Sequence, residues 1–159
     1  FRGGFYRQAS FADFEARAHA KVEAGEALTA DVLNNLYADV FADYYGDAVH
    51  ANELNQIEWS RIPHFLRSDN FYVYQYSTSF VAATALAKMI IEEGEPARER
   101  YITMLKSGSN DYPVALLKKA GIDMTSTAPI EATIAVFDDL VDQLEVALDE
   151  MNALAVIRH

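Results

Sequence analysis

Apolar residues along this 159-residue chain recur at threes and fours, and no segment alternates with period two over a useful length. The pattern predicts an all-α fold, a multi-helix bundle. The first segment, about 4–24, places Phe11, Phe14, Ala18 and Val22 on one face and ends at Gly25. Thr29 is placed to cap a second helix carrying Val32, Leu33, Leu36, Tyr37, Val40, Phe41, Tyr44 and Tyr45, with Gly46 as its stop. A loop over 47–54 and a helical turn over 55–61 follow, and Pro63 breaks the chain just before His64. After a turn at 67–70, a long helix is expected from about Asn70 to Glu93, stopped by Gly94. Pro96 opens a shorter helix through Leu105. Asp111 is expected to cap the next, with Pro113 in its first turn, Lys118 and Lys119 in its last, and Gly121 beyond. The final helix, about 128–157, carries a heptad seam: Ile130, Ile134, Phe137, Val141, Leu144, Leu148 and Met151. The seam is expected to pack within its own domain, as in long antiparallel bundles; a coiled coil is the alternative.

Charge and composition narrow the classes of partner. With 24 acidic against 13 basic side chains the net charge is −11, which repels phosphate backbones and anionic lipid, so neither nucleic acid nor a membrane surface is an expected partner. The chain has no cysteine, which excludes disulfides and thiolate metal sites and makes the cytoplasm the expected compartment. It opens Phe1-Arg2-Gly3-Gly4, with neither a methionine nor a signal-peptide pattern, so upstream sequence is expected to be missing.

Candidate chemistry begins with an absence. No two of His19, His50, His64 and His159 lie three or four residues apart, so there is no His-Glu-x-x-His zinc helix. Nor is there a Gly-x-Ser-x-Gly elbow or a phosphate-binding glycine loop. The dense segment is Ile62-Pro63-His64-Phe65 followed by Phe71-Tyr72-Val73-Tyr74-Gln75-Tyr76. On a helix Tyr72 and Tyr76 share a face and Tyr74 lies opposite, so the three cannot all enter one core. At least one hydroxyl is expected in a cleft or solvent. With a reference pKa of about 10, it is a neutral donor suited to a developing oxyanion. Arg7 and Gln8 read as polar helix-face residues, with substrate contact the alternative, and Asp13 and Glu58 as solvated or helix-pairing carboxylates, with support of the site's own side chains from behind the alternative.

Five ordered motifs carry a resemblance. These are Arg7-Gln8-Ala9-Ser10-Phe11-Ala12-Asp13-Phe14-Glu15, the run Glu58–Phe65, the run Phe71–Tyr76, Ser107-Gly108-Ser109-Asn110-Asp111-Tyr112-Pro113 and the run Leu117–Ser126. In this order they resemble the C-terminal half of oligoendopeptidase F, a zinc metallopeptidase related to thimet oligopeptidase. The resemblance spans Phe1 to about Leu148. It implies that residues 1–159 are the C-terminal segment of a larger, mostly helical catalytic domain. The zinc (Zn2+) of that domain is held upstream, by a His-Glu-x-x-His helix and a further Glu, and none is expected on this chain. It further implies short peptides as substrates, with His64, Tyr72 and Tyr74 lining the cleft and binding the substrate carbonyl or tetrahedral oxyanion; Tyr74 is the first choice of donor and Tyr72 the second. The chain alone is expected to be inactive, its partner being the missing N-terminal part of the same enzyme. Two departures stand out. The stretch from His64 to Phe71 is longer than the family pattern, and each added residue can span up to about 3.3–3.6 Å. Ser77-Thr78-Ser79 also replaces an Ala-Thr-Gly-like triplet. The alternative reading is a noncatalytic helical module that self-associates through the 130–151 seam.

Overall fold

Phe11, Phe14 and Ala18, spaced three and four apart, are almost wholly buried along one face of helix α1 (Arg7–Glu23). They do so in a computed structural model that describes residues 1–67 and 71–157, where every helix and turn agrees with an all-α fold and no strand occurs among the described residues. Among these residues no helix is long and apolar enough to cross a membrane. The chain divides into two compact units, one over residues 1–80 and one from Val81 onward.

In the first unit a π-helical turn, Arg2–Tyr6, leads into α1, followed by α2 (Ala30–Tyr45) and the four-residue α3 (Glu53–Gln56). Thr29 caps α2 by accepting from the Val32 amide at 3.3 Å, and Gly46, at φ 58°, ends it. The face of α2 bearing Leu36, Tyr37, Val40 and Phe41 closes over α1, and Val73, Trp59, Ile62 and Phe65 complete the core. Phe14 is the hub: its ring lies 5.3 Å from Tyr37 (edge-on), 5.2 Å from Phe65 and 6.2 Å from Trp59. Burying such a ring stabilises by roughly 1.5–3 kcal/mol, and edge-on geometry adds about 0.5–1.5 kcal/mol per pair.

The second unit contains the later turns of α4 (Tyr74–Glu93) with α5 (Glu95–Lys106), α6 (Pro113–Ala120) and α7 (Ala128–Ile157). Ala85, Leu86, Ala120 and Ile122 form its core, with Met89, Tyr101, Met104 and Leu117 around them. Gly121, at φ 108°, ends α6 in a conformation that favours glycine, and a Cβ there would lie 3.0 Å from Met89 Sδ, so the methionine side chain would have to shift.

Four expectations are corrected. The turn predicted over 55–61 starts earlier, because Asn52 and Asn55 form a capping box that opens α3 at Glu53. The long helix begins at Tyr74 rather than near Asn70: Phe71 has φ 59°, which no right-handed helix admits, and residue 70 lies outside the described residues. Asp111 does not cap α6; Tyr112 occupies that position, and Asp111 accepts from the Tyr112 amide and from Lys119 Nζ. The α7 seam is not packed within its domain. Thr133 is fully buried near the start, but Val141, Leu144, Leu148 and Met151 are all exposed.

Phe14→Ala should lower the stability of the first unit by about 3–5 kcal/mol, and Thr29→Ala by about 1 kcal/mol, as read from urea unfolding. Equal losses from the two variants would contradict the hub role of Phe14.

Candidate functional site

The candidate site lies within the first unit and is built on α1. Ile62 is extended (φ −96°, ψ 99°), as a residue before proline prefers, and Pro63 opens a 3-10 turn, Pro63–Leu66. Within that turn Phe65 points into the core, edge-on to Phe11 at 5.9 Å and 5.2 Å from Phe14. His64, its neighbour, is thereby held at the half-buried margin of the core. The preceding turn, Glu58–Arg61, is clamped from two sides. Arg7 on α1 donates through Nε and Nη2 to Glu58 Oε1, and Tyr37 on α2 donates to Glu58 Oε2 at 3.0 Å. Burial, and then the Glu58 charge and hydrogen bond, push the Tyr37 hydroxyl well above the usual tyrosine range, so it stays a donor. Trp59 Nε1 adds a bond to Asn34 Oδ1 at 2.9 Å. Glu58 is thus a partly buried carboxylate that ties its turn to α1 and α2 rather than one that pairs within a helix; Asp13 does pair within its helix, with Arg17 at 2.7 Å.

Tyr72 arrives from the other side. Phe71 precedes it in the left-handed region, at a cost of roughly 1–3 kcal/mol for a bulky residue. Two groups on α1 hold it there: Glu15 Oε1 accepts the Phe71 amide at 2.8 Å, and the His19 ring packs on the Phe71 ring at 4.5 Å. Tyr72 then lies flat against His64, with centroids 5.1 Å apart and planes 7° apart. Tyr76, in the first turn of α4, meets Tyr72 at 5.8 Å and His64 at 6.2 Å, edge-on to both. The stretch after His64, expected to be longer than the family pattern, therefore does not separate it from Tyr72. Tyr74 opens α4 outside this three-ring cluster and is half exposed. Ser77, the first residue of the departed triplet, is buried and donates to the Phe5 carbonyl at 3.0 Å, which satisfies the hydroxyl it introduces.

Tyr72, Tyr74 and Tyr76 are each exposed to solvent, in line with the expectation that the three do not all enter one core. Partial desolvation, then the charge of Tyr72 and a hydrogen bond with it, raise Tyr76 above the ordinary tyrosine value of 10. Both hydroxyls can donate or accept, so either one can carry the proton in that bond. The sequence did not single out Tyr76, Glu15 or Phe71. Tyr76 was signalled by its i, i+4 relation to Tyr72. Glu15 was signalled by a carboxylate on the apolar stripe between Phe11 and Ala18. Nothing in the residue type of Phe71 announces a positive φ.

The linkage of Tyr76 has a definite sign. A raised folded-state pKa contributes stability that is complete below pH 10 and is lost as pH rises through the folded value. Ultraviolet titration should show Tyr76, like the buried Tyr37 and the half-buried Tyr44, ionising later than an ordinary exposed tyrosine, and Tyr72→Phe should remove the part of the Tyr76 shift that Tyr72 causes. An unchanged titration in that variant would contradict the Tyr72–Tyr76 hydrogen bond.

Residues 2–136 match the profile of Peptidase family M3. The chain is 49% identical over 145 residues to Oligopeptidase PepF of Bacillus subtilis, covering 91% of this chain and 21% of that protein. It is 44% identical to the plasmid-encoded Oligoendopeptidase F of Lactococcus lactis subsp. cremoris, covering 91% of this chain and 24% of that one. The crystal structure of oligoendopeptidase-F from Enterococcus faecium superposes with a TM-score of 0.88 at 45% identity, over 94% of this chain and 28% of that chain. The chain thus spans between a fifth and a quarter of these two curated relatives. On the extent of the profile match and the level of identity, this chain belongs to peptidase family M3.

Proposed function

We propose that this chain is the substrate-binding and oxyanion-stabilising wall of a zinc-dependent endopeptidase that cleaves short oligopeptides, and that it is inactive alone. The observation that carries the reading is the exposed aromatic cluster after Pro63: the His64 imidazole and the phenols of Tyr72 and Tyr76 meet ring to ring, beside Phe65 and Val73 of the core. Tyr74, outside the ring cluster, is the first choice of donor to the tetrahedral oxygen, and Tyr72, stacked on His64, the second. His64, stacked on Tyr72, would bind the substrate carbonyl. Among the described residues no three His, Cys, Asp or Glu side chains converge, and His19 and His64 each pack on an aromatic ring. In this reading the metal belongs to other polypeptide of the same enzyme, and the cysteine-free composition agrees with a cytoplasmic setting.

Two measurements test this. Purified, the 159-residue chain should carry no stoichiometric zinc by elemental analysis and should not turn over a quenched fluorescent peptide; metal with activity would overturn the proposal. Exchanged for the corresponding segment of the Bacillus subtilis relative, it should support peptide hydrolysis. In that chimera Tyr74→Phe should lower kcat by about 10²–10³-fold with KM little changed, the effect of losing one oxyanion donor. Unaltered kcat in Tyr74→Phe, Tyr72→Phe and His64→Ala alike would remove the site assignment.

The exposed seam favours a second reading, a noncatalytic module that self-associates through α7, where Leu144 is 58% and Met151 65% exposed. Light scattering should then show a concentration-dependent rise in mass that Leu144→Asp abolishes. A wild-type chain that stays monomeric at high concentration excludes it.

A further inference from the structure

A carboxylate buried on an apolar helix face is costly unless its bonds offset the loss of water. Glu15 is only 4% exposed, and one of its oxygens, Oε2, has no hydrogen-bond partner among the described residues. An apolar side chain between Phe11 and Ala18 would continue the stripe and bury no unpaired oxygen. What the carboxylate adds is one directed bond, from Oε1 to the amide of Phe71, a residue whose φ of 59° is disfavoured for any side chain of its size. His19, one turn further along α1, packs on the ring of the same residue. The polar contact and the ring contact converge on a single strained position, and the next residue is Tyr72.

We propose that Glu15 is a positioning residue: it holds the Phe71 amide so that the chain turns through a left-handed conformation and lays Tyr72 flat against His64. Rotating Phe71 back to a negative φ would redirect the chain at Tyr72 and part the two rings. His64 is fixed independently, through Phe65 on Phe11 and Phe14, so both halves of the stack are referenced to α1 and only the Tyr72 half depends on Glu15. The catalytic consequence rests on the peptidase reading; the geometric claim does not.

The test is carried out on the 159-residue chain by NMR. In the wild type the Phe71 amide should be protected from solvent exchange, and the His64 ring protons should be displaced upfield by the Tyr72 face. Glu15→Ala should lose most of that displacement while the helical circular dichroism is kept. Glu15→Gln, which retains an acceptor oxygen, should preserve the displacement with faster exchange at Phe71. Adding Phe71→Gly to Glu15→Ala should restore it in part, because glycine adopts the turn without being held. A folded Glu15→Ala chain with His64 unshifted from wild type overturns the proposal. Should that variant not fold, the wild type decides, since a Phe71 amide exchanging as fast as a free peptide overturns it equally. In the chimera, Glu15→Ala should lower kcat more than it changes KM and add little to Tyr72→Phe; fully additive effects would sink the catalytic consequence and leave the geometry standing. An inactive unmutated chimera would count against the peptidase reading alone.

Discussion

Phe65 meets Phe11 edge-on and Phe14 at 5.2 Å, and through that contact a short turn with no regular hydrogen-bond ladder of its own acquires a fixed place. A four-residue 3-10 turn cannot hold a side chain to catalytic tolerance by backbone bonding alone. It can do so when one of its residues is a large ring locked in a close-packed core, because displacing that ring opens a cavity. His64 is adjacent to that ring. The same logic applies upstream, where Glu58 accepts from Arg7 and Tyr37 and Trp59 donates to Asn34, so the chain enters Pro63 already tied to α1 and α2.

These ties differ in kind, and the difference matters for what each contributes. The aromatic contacts supply free energy without strict direction. The Glu58 pair, partly screened by solvent, supplies direction with modest net stability, since exposed or half-exposed ion pairs contribute about 0–1 kcal/mol. Glu15 belongs to the second kind but sits deeper, where a single well-aimed bond comes with an unpaired oxygen. Its retention on an otherwise apolar face is understandable only if the direction of the bond matters more than the stability it forgoes.

How much of this was legible in the sequence follows from the same distinction. The stripes of α1 and α2 and the stops at Gly25, Gly46, Gly94 and Gly121 were readable, because period and glycine punctuation report local geometry. The aromatic segment after Pro63 was readable as a candidate site, and His64 and Tyr72 are brought together as that segment suggested. Helical spacing paired Tyr72 with Tyr76 correctly although Tyr72 precedes α4, since the turn at 71–73 keeps them within one helical step. Phe71 escaped notice because a positive φ is normally announced by Gly or Asn, and here it is imposed from outside by Glu15 and His19. The seam of α7 was legible as a face, but a heptad pattern specifies what a helix wants to bury and not what buries it, so its exposure at Leu144 and Leu148 could not be foreseen.

The stretch from His64 to Tyr72 shows why anchors matter more than chain length. An insertion shifts a residue only if that residue is located by counting along the chain. His64 is located by the Phe65 ring, and Tyr72 by the Phe71 amide and ring, on the same helix: Phe11, Phe14, Glu15 and His19 are consecutive positions down one side of α1. Extra residues between two such anchors change the loop-closure entropy only slowly, by about 0.6 kcal/mol per doubling of length. They leave the distance between the anchored groups unchanged. An α-helix face is rigid over the roughly two turns involved, so it acts as a common frame for both rings, and the 5.1 Å stack is set by that frame rather than by the loop that joins its halves.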